Sequence, residues 1–375
     1  MHRKPTIKVL SASDRFNYGD LLFPIITIKE LSKYGDFKFT NIAIKKSNLS
    51  KIGALPTRSY ASLFKGTPKS DFVIVAGGDV LSVNWSSIYS YLNIVYNKIY
   101  WRVKNKQKLE VITKKLFGRE NISNPFVPTS NLICPSNLIF HGVGGSSTTS
   151  PTALNKIEKS AYFSVREKGS QNNLQRHFAQ PVKLVPDPAI LMSDYFQTPS
   201  IKKGYIAFQI GHYSTEIQLI TAQLRAIHES YAKKIVLLPI GNCIGHNDII
   251  SLRQIKAMAN FPCDLIEKPD ISRIMMTIAG ADFFFGTSLH GVITAMSFAV
   301  PYAGMNPKII KMKNYLETWG APFFNETVTF EMIFHTYSTR KKIDDSILIE
   351  NSQNQKTIAR ESFKKIASII TRNTP

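Results

Sequence analysis

Short β-branched segments that alternate with helical stretches constrain the fold of this chain more than any other sequence feature. The first half contains six such strand candidates and the second half contains five, and several end in glycine or a small polar residue. Strands that alternate with helices build parallel sheets from βαβ units, and ligands bind at the carboxyl ends of such strands. The sequence therefore predicts an α/β fold. The candidates lie at residues 7–11, 39–44, 71–76, 138–142, 161–165, 183–185, 205–210, 235–239, 264–266, 282–285 and 300–303.

The length and the break in the middle of the chain predict two domains. At 375 residues the chain exceeds one hydrophobic core of ordinary size. Prolines on both sides of Asp187 predict an extended link over residues 185–189, and the polar stretch that follows is typical of a hinge. We expect two Rossmann-like, doubly wound domains that face each other across a cleft, which is the GT-B arrangement. The predicted parts are a first domain over 1–192, a hinge over 193–203, a second domain over 204–340 and a C-terminal helix within 341–375 that packs back on the first domain.

The charge of the chain points to an anionic partner. Lys and Arg number 47 against 26 Asp and Glu, which gives a net charge of +21. Such an excess suits phosphorylated substrates or an anionic membrane face, and a solvated basic surface is the other interpretation. No common nucleic-acid-binding motif is present, so we expect no nucleic acid partner.

Cysteine usage and hydropathy limit the class of protein further. Cys134, Cys243 and Cys263 are too few for a disulfide framework and lack metal-ligand spacing. We therefore expect no metal and no cofactor. No apolar stretch approaches the ~20 residues that span a bilayer, and the first residues do not resemble a secretory signal. These features favour a cytoplasmic protein, and peripheral contact with the inner membrane face is an open alternative.

Residues 96–119 form a strongly basic segment. They contain eight basic residues and one acidic residue, and Tyr96, Ile99, Tyr100 and Val103 share one face at helical spacing. A basic amphipathic helix of this kind lies on an anionic membrane surface, where it would bring the protein to a lipid-linked acceptor. The alternative, which we favour from the sequence, is a helix that packs on the first domain and exposes its lysines to water.

Residues 271–306 read as a helix, a buried aromatic strand, the turn Gly286-Thr287-Ser288 and a second helix. A helix that begins after a strand exposes unpaired N–H groups and a partial positive charge, which bind phosphate or carboxylate. Thr287 or Ser288 would cap this helix or donate a hydroxyl to the anion. His290 lies in the first helical turn, where it is either a proton donor in the cleft or an ordinary surface residue.

The same segment resembles the C-terminal signature of polysaccharide pyruvyl transferases, in which a strand is followed by His-Gly, a small-residue helix and a Val-Pro strand. Further segments follow in the order of that family and extend the resemblance over residues 7–306. They are the Asn-x-Gly-Asp turn at 17–20, the Gly-rich strand ends at 76–78 and 140–144, the Ser-x-Arg-Glu turn at 164–167 and the Asp-Pro-Ala segment at 187–189.

This resemblance implies a GT-B-like transferase that moves a pyruvyl group from phosphoenolpyruvate onto a sugar of a cell-surface polysaccharide or its precursor. It gives His290 the role of general acid or phosphate ligand, and Asp20 that of orienting or deprotonating an acceptor hydroxyl. Asp20 has the alternative of capping a helix that starts at Leu21, and Arg166 that of a surface ion pair. The implied donor-binding residues are Arg166, Thr287, Ser288, Leu289 and Gly291, and the implied cleft-lining residues are Asn17, Gly19, Gly77, Gly78, Asp79, Gly142 and Gly144. Asp187 is interpreted as a structural hinge residue.

The sequence departs from the family pattern at the donor site. Many members carry arginine two residues before the signature histidine, where this chain has Ser288. A donor-binding cation would then have to come from Lys308 or Lys311 on the next helix. Asp79 in place of a third glycine is a milder departure. A glycosyltransferase that uses a nucleotide sugar therefore stays open, with the turn at 240–242 near the nucleotide. A non-enzymatic member that binds an anionic glycan or a membrane-bound partner also stays open.

Overall fold

The first half of the chain builds a parallel sheet. The computed structural model describes residues 4–65, 71–118, 122, 124–128, 133–145, 147, 150–196, 204–211 and 216–372. The strands of the first sheet are β1 (Thr6–Leu10), β2 (Lys38–Ile42), β3 (Phe72–Ala76), β4 (Leu138–Val143), β5 (Tyr162–Val165) and β6 (Lys183–Leu184). All are parallel, in the order β2-β1-β3-β4-β5-β6, so the strand order reverses between β1 and β3.

The second half builds another parallel sheet and one small hairpin. Its strands are β7 (Tyr205–Gln209), β8 (Lys234–Leu237), β9 (Asn242–Cys243), β10 (His246–Asn247), β11 (Cys263–Leu265), β12 (Phe283–Gly286) and β13 (Tyr302–Gly304). The sheet order is β11-β8-β7-β12-β13, which reverses between β7 and β12. Strands β9 and β10 pair antiparallel outside this sheet. The sequence did not predict the hairpin, because two-residue strands carry no alternation pattern.

Helices cover both sheets, and the α/β fold with two doubly wound domains is confirmed. The helices are α1 (Tyr18–Leu31), α2 (Trp85–Ser90), α3 (Ile94–Arg102), α4 (Lys106–Phe117), α5 (Pro151–Glu158), α6 (Lys168–Gln175), α7 (Ile217–Tyr231), α8 (Ile249–Met258), α9 (Ile271–Ala279), α10 (Leu289–Ser297), α11 (Ile310–Trp319), α12 (Ile333–Arg340) and α13 (Asp345–Arg372). Among the described residues, none of these helices is long and apolar enough to cross a bilayer.

The segment between the sheets differs from the extended link that the sequence predicted. A 3₁₀ helix spans Pro188–Asp194, and Asp187 caps it by accepting a hydrogen bond from the Ala189 amide at 3.0 Å. Proline fits the first position of a helix because its missing N–H has no intrahelical partner there. Ser193, the first residue of the predicted hinge, bonds to Ser297 of α10 through its amide and its hydroxyl. Residues 197–203 of that hinge lie outside the described part of the chain, so the domain boundaries stay a prediction.

The basic segment forms two helices instead of the single helix expected from its periodicity. Helix α3 ends before Val103, which is extended, and α4 begins after Asn105. The side chain of Asn105 accepts a hydrogen bond from the Lys108 amide at 2.9 Å and so caps α4. Asparagine favours the start of a helix over its interior, which explains why the helix breaks at this position.

The C-terminal helix α13 packs on side chains of the first sheet. Ser362 bonds to the Tyr162 hydroxyl at 2.8 Å and to His141 Nε2 at 2.9 Å. The ring of Phe363 lies edge-on to His141 with centroids 4.3 Å apart. His141 is fully buried, and burial lowers its pKa from the ordinary 6.5 to about 3, although the charge of Asp187 acts in the opposite direction.

Acid should therefore weaken the fold through His141. The unfolded chain binds a proton at this histidine below pH 6.5, whereas the folded chain keeps it neutral down to about pH 3. In that window the contribution falls by about 1.4 kcal/mol per pH unit as the pH drops. We expect His141→Gln, which keeps a donor for Ser362, to show a flatter decline in urea-unfolding free energy between pH 6.5 and pH 4. The exposed His335 supplies the control: if His335→Gln flattens the profile equally, burial of His141 is not the cause.

Candidate active site

One cleft lies where the reversal points of the two sheets meet. Residues that follow β1, β3, β7 and β12 all line a single cavity of about 400 Å³. Parallel α/β sheets bind ligands at the carboxyl ends of the strands beside such a reversal, so the fold itself places a binding site here. The lining includes Asn17, Asp20, Gly78, Asp79 and Arg166 from the first half and Thr287, Ser288, Leu289, His290 and Lys311 from the second.

The two halves are tied together at this cleft. Asn17 and Gly241 form an antiparallel β-bridge, and the Asn242 amide donates to the Phe16 carbonyl at 3.2 Å. Tyr91, just after α2, stacks on His246 of the β9–β10 hairpin with ring centroids 5.6 Å apart. Backbone and side-chain contacts thus fix the mutual position of the two sides of the cleft.

Helix α10 carries His290 into the cleft. Ser288 is the N-cap of α10, and its hydroxyl accepts from the Gly291 amide at 3.4 Å, which is one of the alternatives that the sequence left open for Thr287 and Ser288. Gln209, at the end of β7, accepts from the Ser288 amide at 2.8 Å and holds the turn against the neighbouring strand. The first-turn amides of α10 have no acceptor within the helix, so this end offers N–H groups and a partial positive charge to an anion.

The imidazole of His290 rests on the first half of the molecule. A Cβ atom at Gly19 would overlap the imidazole, so only glycine lets α1 approach this closely. Phe23 lies edge-on to the ring with centroids 5.3 Å apart. On the other side, His290 Nε2 lies 3.5 Å from Asp187 Oδ2. At that distance the two groups form an ion pair when the imidazole is protonated, and Nε2 has no hydrogen-bond partner among the described residues.

Asp187 is buried between His290 and Arg166. Arg166 Nη1 donates to Asp187 Oδ2 at 3.1 Å, and Arg166 Nε lies 3.4 Å from Glu167 Oε2. Burial acts to raise the pKa of Asp187, but His290 and Arg166 outweigh it and lower that pKa. Burial likewise acts to lower the pKa of Arg166, yet Asp187 and Glu167 raise it. Arg166 is therefore a permanently charged, buried residue of the cleft wall, and the surface ion pair considered for it is wrong.

The structure corrects the interpretation of Asp187. Proline on either side suggested a hinge, whereas the carboxylate is fully buried and touches both residues that the family resemblance placed at the donor. The prolines fix the backbone that aims this carboxylate. The family motif Asp-Pro-Ala could have indicated this position of Asp187. The burial of Asp187, however, depends on packing against α11, where Tyr315 accepts a hydrogen bond from the Asp187 amide.

Asp20 lies in the first turn of α1 and does not cap a helix that begins at Leu21. The helix begins at Tyr18, and Asn17 Nδ2 donates to Asp20 Oδ2 at 2.8 Å. Arg15 Nη2 lies 3.9 Å from the same oxygen. A carboxylate in a first helical turn is stabilised by the helix dipole, and these two donors orient it in the cleft.

Lys311, not Lys308, lies in the cleft with these groups. Lys308 lines a second cavity of about 530 Å³, which adjoins the cleft at Thr287 and Asn306. Lys311 has no hydrogen-bond or ion-pair partner within the part of the chain that the structure describes. Its side chain is accessible but surrounded by both halves, and the partial loss of hydration together with Arg166 lowers its pKa, despite Asp79 and Asp20.

The predicted cleft residues divide into two layers. Asn17, Gly78 and Asp79 line the cavity itself, as do four of the five donor-binding candidates. Gly77 has φ +59°, and a Cβ there would overlap the Phe23 ring that supports His290. The glycines that pack behind the cavity wall without lining it are Gly19, Gly77, Gly142, Gly144 and Gly291.

Several cleft residues were not predicted from the sequence. They are Arg15, Tyr91, Gln209, His246 and Asp248. Gln209 could have been found, because it ends the strand beside the reversal of the second sheet. Tyr91 and His246 come from a helix end and a short hairpin, which carry no pattern that marks a site. No group of three or more His, Cys, Asp or Glu side chains among the described residues is arranged to hold a metal ion.

The family model for polysaccharide pyruvyl transferases matches residues 17–308, most of the chain. The chain belongs to the polysaccharide pyruvyl transferase family. It is accordingly a transferase, and the match includes every residue described above in the cleft except Arg15 and Lys311, which flank it. None of the curated proteins matches the chain.

Solved structures similar to this pyruvyl transferase family member share its fold at low sequence identity. The UDP-GlcNAc 2-epimerase of Methanocaldococcus jannaschii in complex with UDP-GlcNAc and UDP is 13% identical, with 92% of this chain and 94% of that chain covered and a TM-score of 0.50. MnaA of S. aureus with UDP is 11% identical, with 96% and 94% covered and a TM-score of 0.51. An α-glucosyltransferase (AGT) in complex with UDP is 11% identical, with 98% and 100% covered and a TM-score of 0.50. These similarities support the GT-B fold and nothing finer.

Proposed function

We propose that this family member transfers a pyruvyl group from phosphoenolpyruvate to two hydroxyls of a saccharide. The observation that carries the proposal is the meeting of His290 and Arg166 in one cleft through their shared contact with Asp187. A proton donor and a permanent cation are the two groups that a phosphorylated enol donor needs. Membership of the family supports the same reaction.

The donor site combines three sources of positive charge. The start of α10 offers amides to an anion, Arg166 contributes a buried guanidinium, and Lys311 contributes an ammonium without an ionic partner in the described chain. Phosphoenolpyruvate carries a phosphate and a carboxylate. Many family members bind the donor with an arginine at the position of Ser288, and we assign that role to Lys311 in this chain. Ser288 caps α10 and Lys311 belongs to the next helix, α11, but both residues line the same cavity.

The reaction requires one proton delivered and two removed. In the proposal, His290 protonates the methylene carbon, so the enol carbon becomes electrophilic and the methylene becomes a methyl group. The first sugar hydroxyl attacks that carbon and loses its proton to Asp20. The carbon–oxygen bond to phosphate then breaks, phosphate leaves with its electron pair, and the second hydroxyl closes the ketal and gives its proton to the departing phosphate. The products are the cyclic ketal and inorganic phosphate.

The acceptor in this proposal is a saccharide carried on a lipid. Tyr91 and His246 form a stacked pair at the cleft, and aromatic faces suit the apolar face of a sugar ring. The lipid carrier is suggested by the basic helices α3 and α4, which follow directly after the α2 segment that lines the cleft.

A glycosyltransferase with a nucleotide-sugar donor is the second candidate. The cavity of about 530 Å³ that adjoins the cleft offers room for a nucleoside beside Thr287 and Asn306. The similar solved structures were obtained with UDP or UDP-GlcNAc, and their shared fold extends the same possibility to this chain. Ser288 in place of arginine is compatible with either donor.

Thermal unfolding with each donor separates the two candidates. We expect 1 mM phosphoenolpyruvate to raise the Tm because a ligand that binds only the folded state stabilises it, by about 2.7 kcal/mol at 100 times its Kd. UDP and UDP-GlcNAc at the same concentration should leave the Tm unchanged. Lys311→Ala should weaken phosphoenolpyruvate binding at least about tenfold, the loss of one charge-assisted contact.

Lys313→Ala is the matched control, because Lys313 lies on the same helix, is exposed and pairs with Glu317. It should bind phosphoenolpyruvate like the parent. Loss of binding in Lys308→Ala but not in Lys311→Ala would contradict the assignment of Lys311. A Tm that responds to UDP and not to phosphoenolpyruvate would replace the proposal with the glycosyltransferase.

A further inference from the structure

The helix pair α3–α4 leaves an unusual amount of apolar surface open to water. Of the fifteen large hydrophobic side chains that are exposed in the described chain, eight belong to these two helices. Trp101, Val111 and Leu116 are each 68% exposed. Helix α3 has no buried residue, and α4 buries only Leu109 and Thr113. We define the α3–α4 face as the exposed side chains Ile94, Val95, Ile99, Trp101, Val111, Ile112, Leu116 and Phe117 with the basic residues between them.

The charge on this face is almost wholly positive. Residues 94–117 contain seven Lys and Arg residues and one acidic residue, Glu110. The carboxylate of Glu110 turns inward, where it accepts hydrogen bonds from the Trp85 amide at 3.1 Å and the Ser86 amide at 2.6 Å. It is therefore engaged at the start of α2 and does not offset the lysines outside. An anionic partner of mixed apolar and charged character complements such a face.

The helices are nevertheless anchored firmly to the molecule. Tyr89 of α2 stacks on Phe117 with centroids 4.3 Å apart, and it meets Tyr96 edge-on at 6.3 Å. The Tyr96 hydroxyl also bonds to Thr113, which joins α3 to α4. The exposed side chains are thus presented by a fixed pair of helices, and their exposure does not come from a helix without contacts.

The short helix α2 connects the α3–α4 face to the cleft. Ile88 of α2 and Tyr91 after it line the cavity of the candidate active site, whereas Tyr89 contacts α3 and α4. An apolar groove of about 580 Å³, lined by Leu92, Val95 and Ile99 and bordered by Lys45 and Lys46, continues the face toward the body of the protein. Helix α2 and the residue after it therefore contact both the cavity of the candidate active site and the helices of the α3–α4 face.

We propose that the α3–α4 face docks the protein on an anionic lipid bilayer. Exposed tryptophan and aliphatic side chains enter the interface between headgroups and acyl chains, while lysines pair with lipid phosphates. A second copy of the chain fits poorly, because two such faces would bring like charges together. The inference that docking presents a lipid-carried saccharide to the cleft rests on the proposed function; the docking itself does not.

Co-sedimentation of the full chain with vesicles tests the docking. Vesicles of phosphatidylcholine with 30 mol% phosphatidylglycerol should bind it at least about tenfold more strongly than pure phosphatidylcholine, since each basic residue near the surface adds attraction. Raising NaCl from 0.1 to 0.5 M should weaken binding, because it shortens the Debye length. The double variant Trp101→Ser/Val111→Ser and the triple variant Lys98→Glu/Lys108→Glu/Lys115→Glu should each lose at least about tenfold.

Ile349→Ser on α13 removes another exposed apolar side chain and serves as the matched control, with binding expected to equal that of the parent. All variants alter exposed positions, and the rise in Tm with phosphoenolpyruvate, measured without vesicles, should persist in each. Binding that ignores the anionic lipid content overturns the docking proposal. Self-association of the parent in sedimentation velocity, if the double variant Trp101→Ser/Val111→Ser abolishes it, also overturns the docking proposal. That result would assign the α3–α4 face to a second copy of the chain. Vesicle binding without any response to phosphoenolpyruvate would leave the docking standing and remove the donor.

Discussion

Replacing His290 with alanine should lower turnover by about 10²- to 10⁴-fold, the usual contribution of a general acid. The imidazole lies in the cleft between Gly19, Phe23 and Asp187, so its removal takes away the side chain of α10 that we propose as the proton donor. Release of inorganic phosphate from phosphoenolpyruvate in the presence of an acceptor glycan fraction measures the effect. The Tm should stay within a few degrees of the parent, because His290 is not among the buried residues of the hydrophobic core.

His290→Gln sharpens the same test. Glutamine keeps a polar group in the space between Gly19 and Asp187 but cannot deliver a proton near neutral pH. We expect it to retain phosphoenolpyruvate binding and to be as inactive as His290→Ala. His335→Ala removes an exposed histidine on α12 and should leave turnover unchanged. Near-parental turnover in His290→Gln would show that the ring only binds the donor and that proton delivery belongs elsewhere.

Asp187→Asn should have the largest effect on stability. The change keeps the size of the side chain and its bond to the Ala189 amide but removes the charge between Arg166 and His290. Breaking a buried ion pair from one side leaves the other charge without compensation and costs about 3–5 kcal/mol. We expect a loss of that size in urea unfolding at pH 7. Turnover should fall as well, because the carboxylate contacts both residues that we propose for the donor site.

The pH dependence of this loss follows from the direction of the pKa. The pKa of Asp187 is lowered in the folded state, so its contribution is fully present above the ordinary value of 3.8 and disappears as the pH falls through the lower folded value. The difference between parent and variant should therefore be constant from pH 8 to pH 5 and shrink below about pH 4. Asp194→Asn, at the far end of the same 3₁₀ helix, removes a partly exposed pair with Arg360 and should cost about 0–1 kcal/mol. An equal loss in both variants would mean that Asp187 acts as a general structural residue.

The sequence was sufficient for the fold because strand and turn signals are local. Every strand candidate falls on an observed strand of the two sheets, and the turn after β12 leads into α10 with Ser288 as its cap, as expected. These features depend on β-branched runs, on glycine at strand ends and on helix caps, all of which are written in a few consecutive residues. The family motifs then predicted His290, Arg166 and Asp20 as site residues, and all three line the same cavity.

The sequence was insufficient where a role depends on distant partners. Asp187 resembled a hinge residue because its neighbours are prolines, and only the fold brings it between Arg166 and His290. Lys308 and Lys311 were equivalent candidates from the sequence, because they lie three residues apart on one segment. In the structure the start of α11 separates them, so that they line different cavities. The exposure of the α3–α4 face likewise depends on the lack of packing against it in the described part of the chain. A local sequence pattern does not show this.

His290, which we propose as the proton donor, and the surface that supports its ring belong to opposite halves of the molecule. His290 is carried by α10, yet its ring seats on the bare backbone of Gly19 in α1. A side chain supported in this way depends on residues of both halves for its position. The position of the imidazole is therefore a joint property of α10 and α1, and neither half of the molecule fixes it alone.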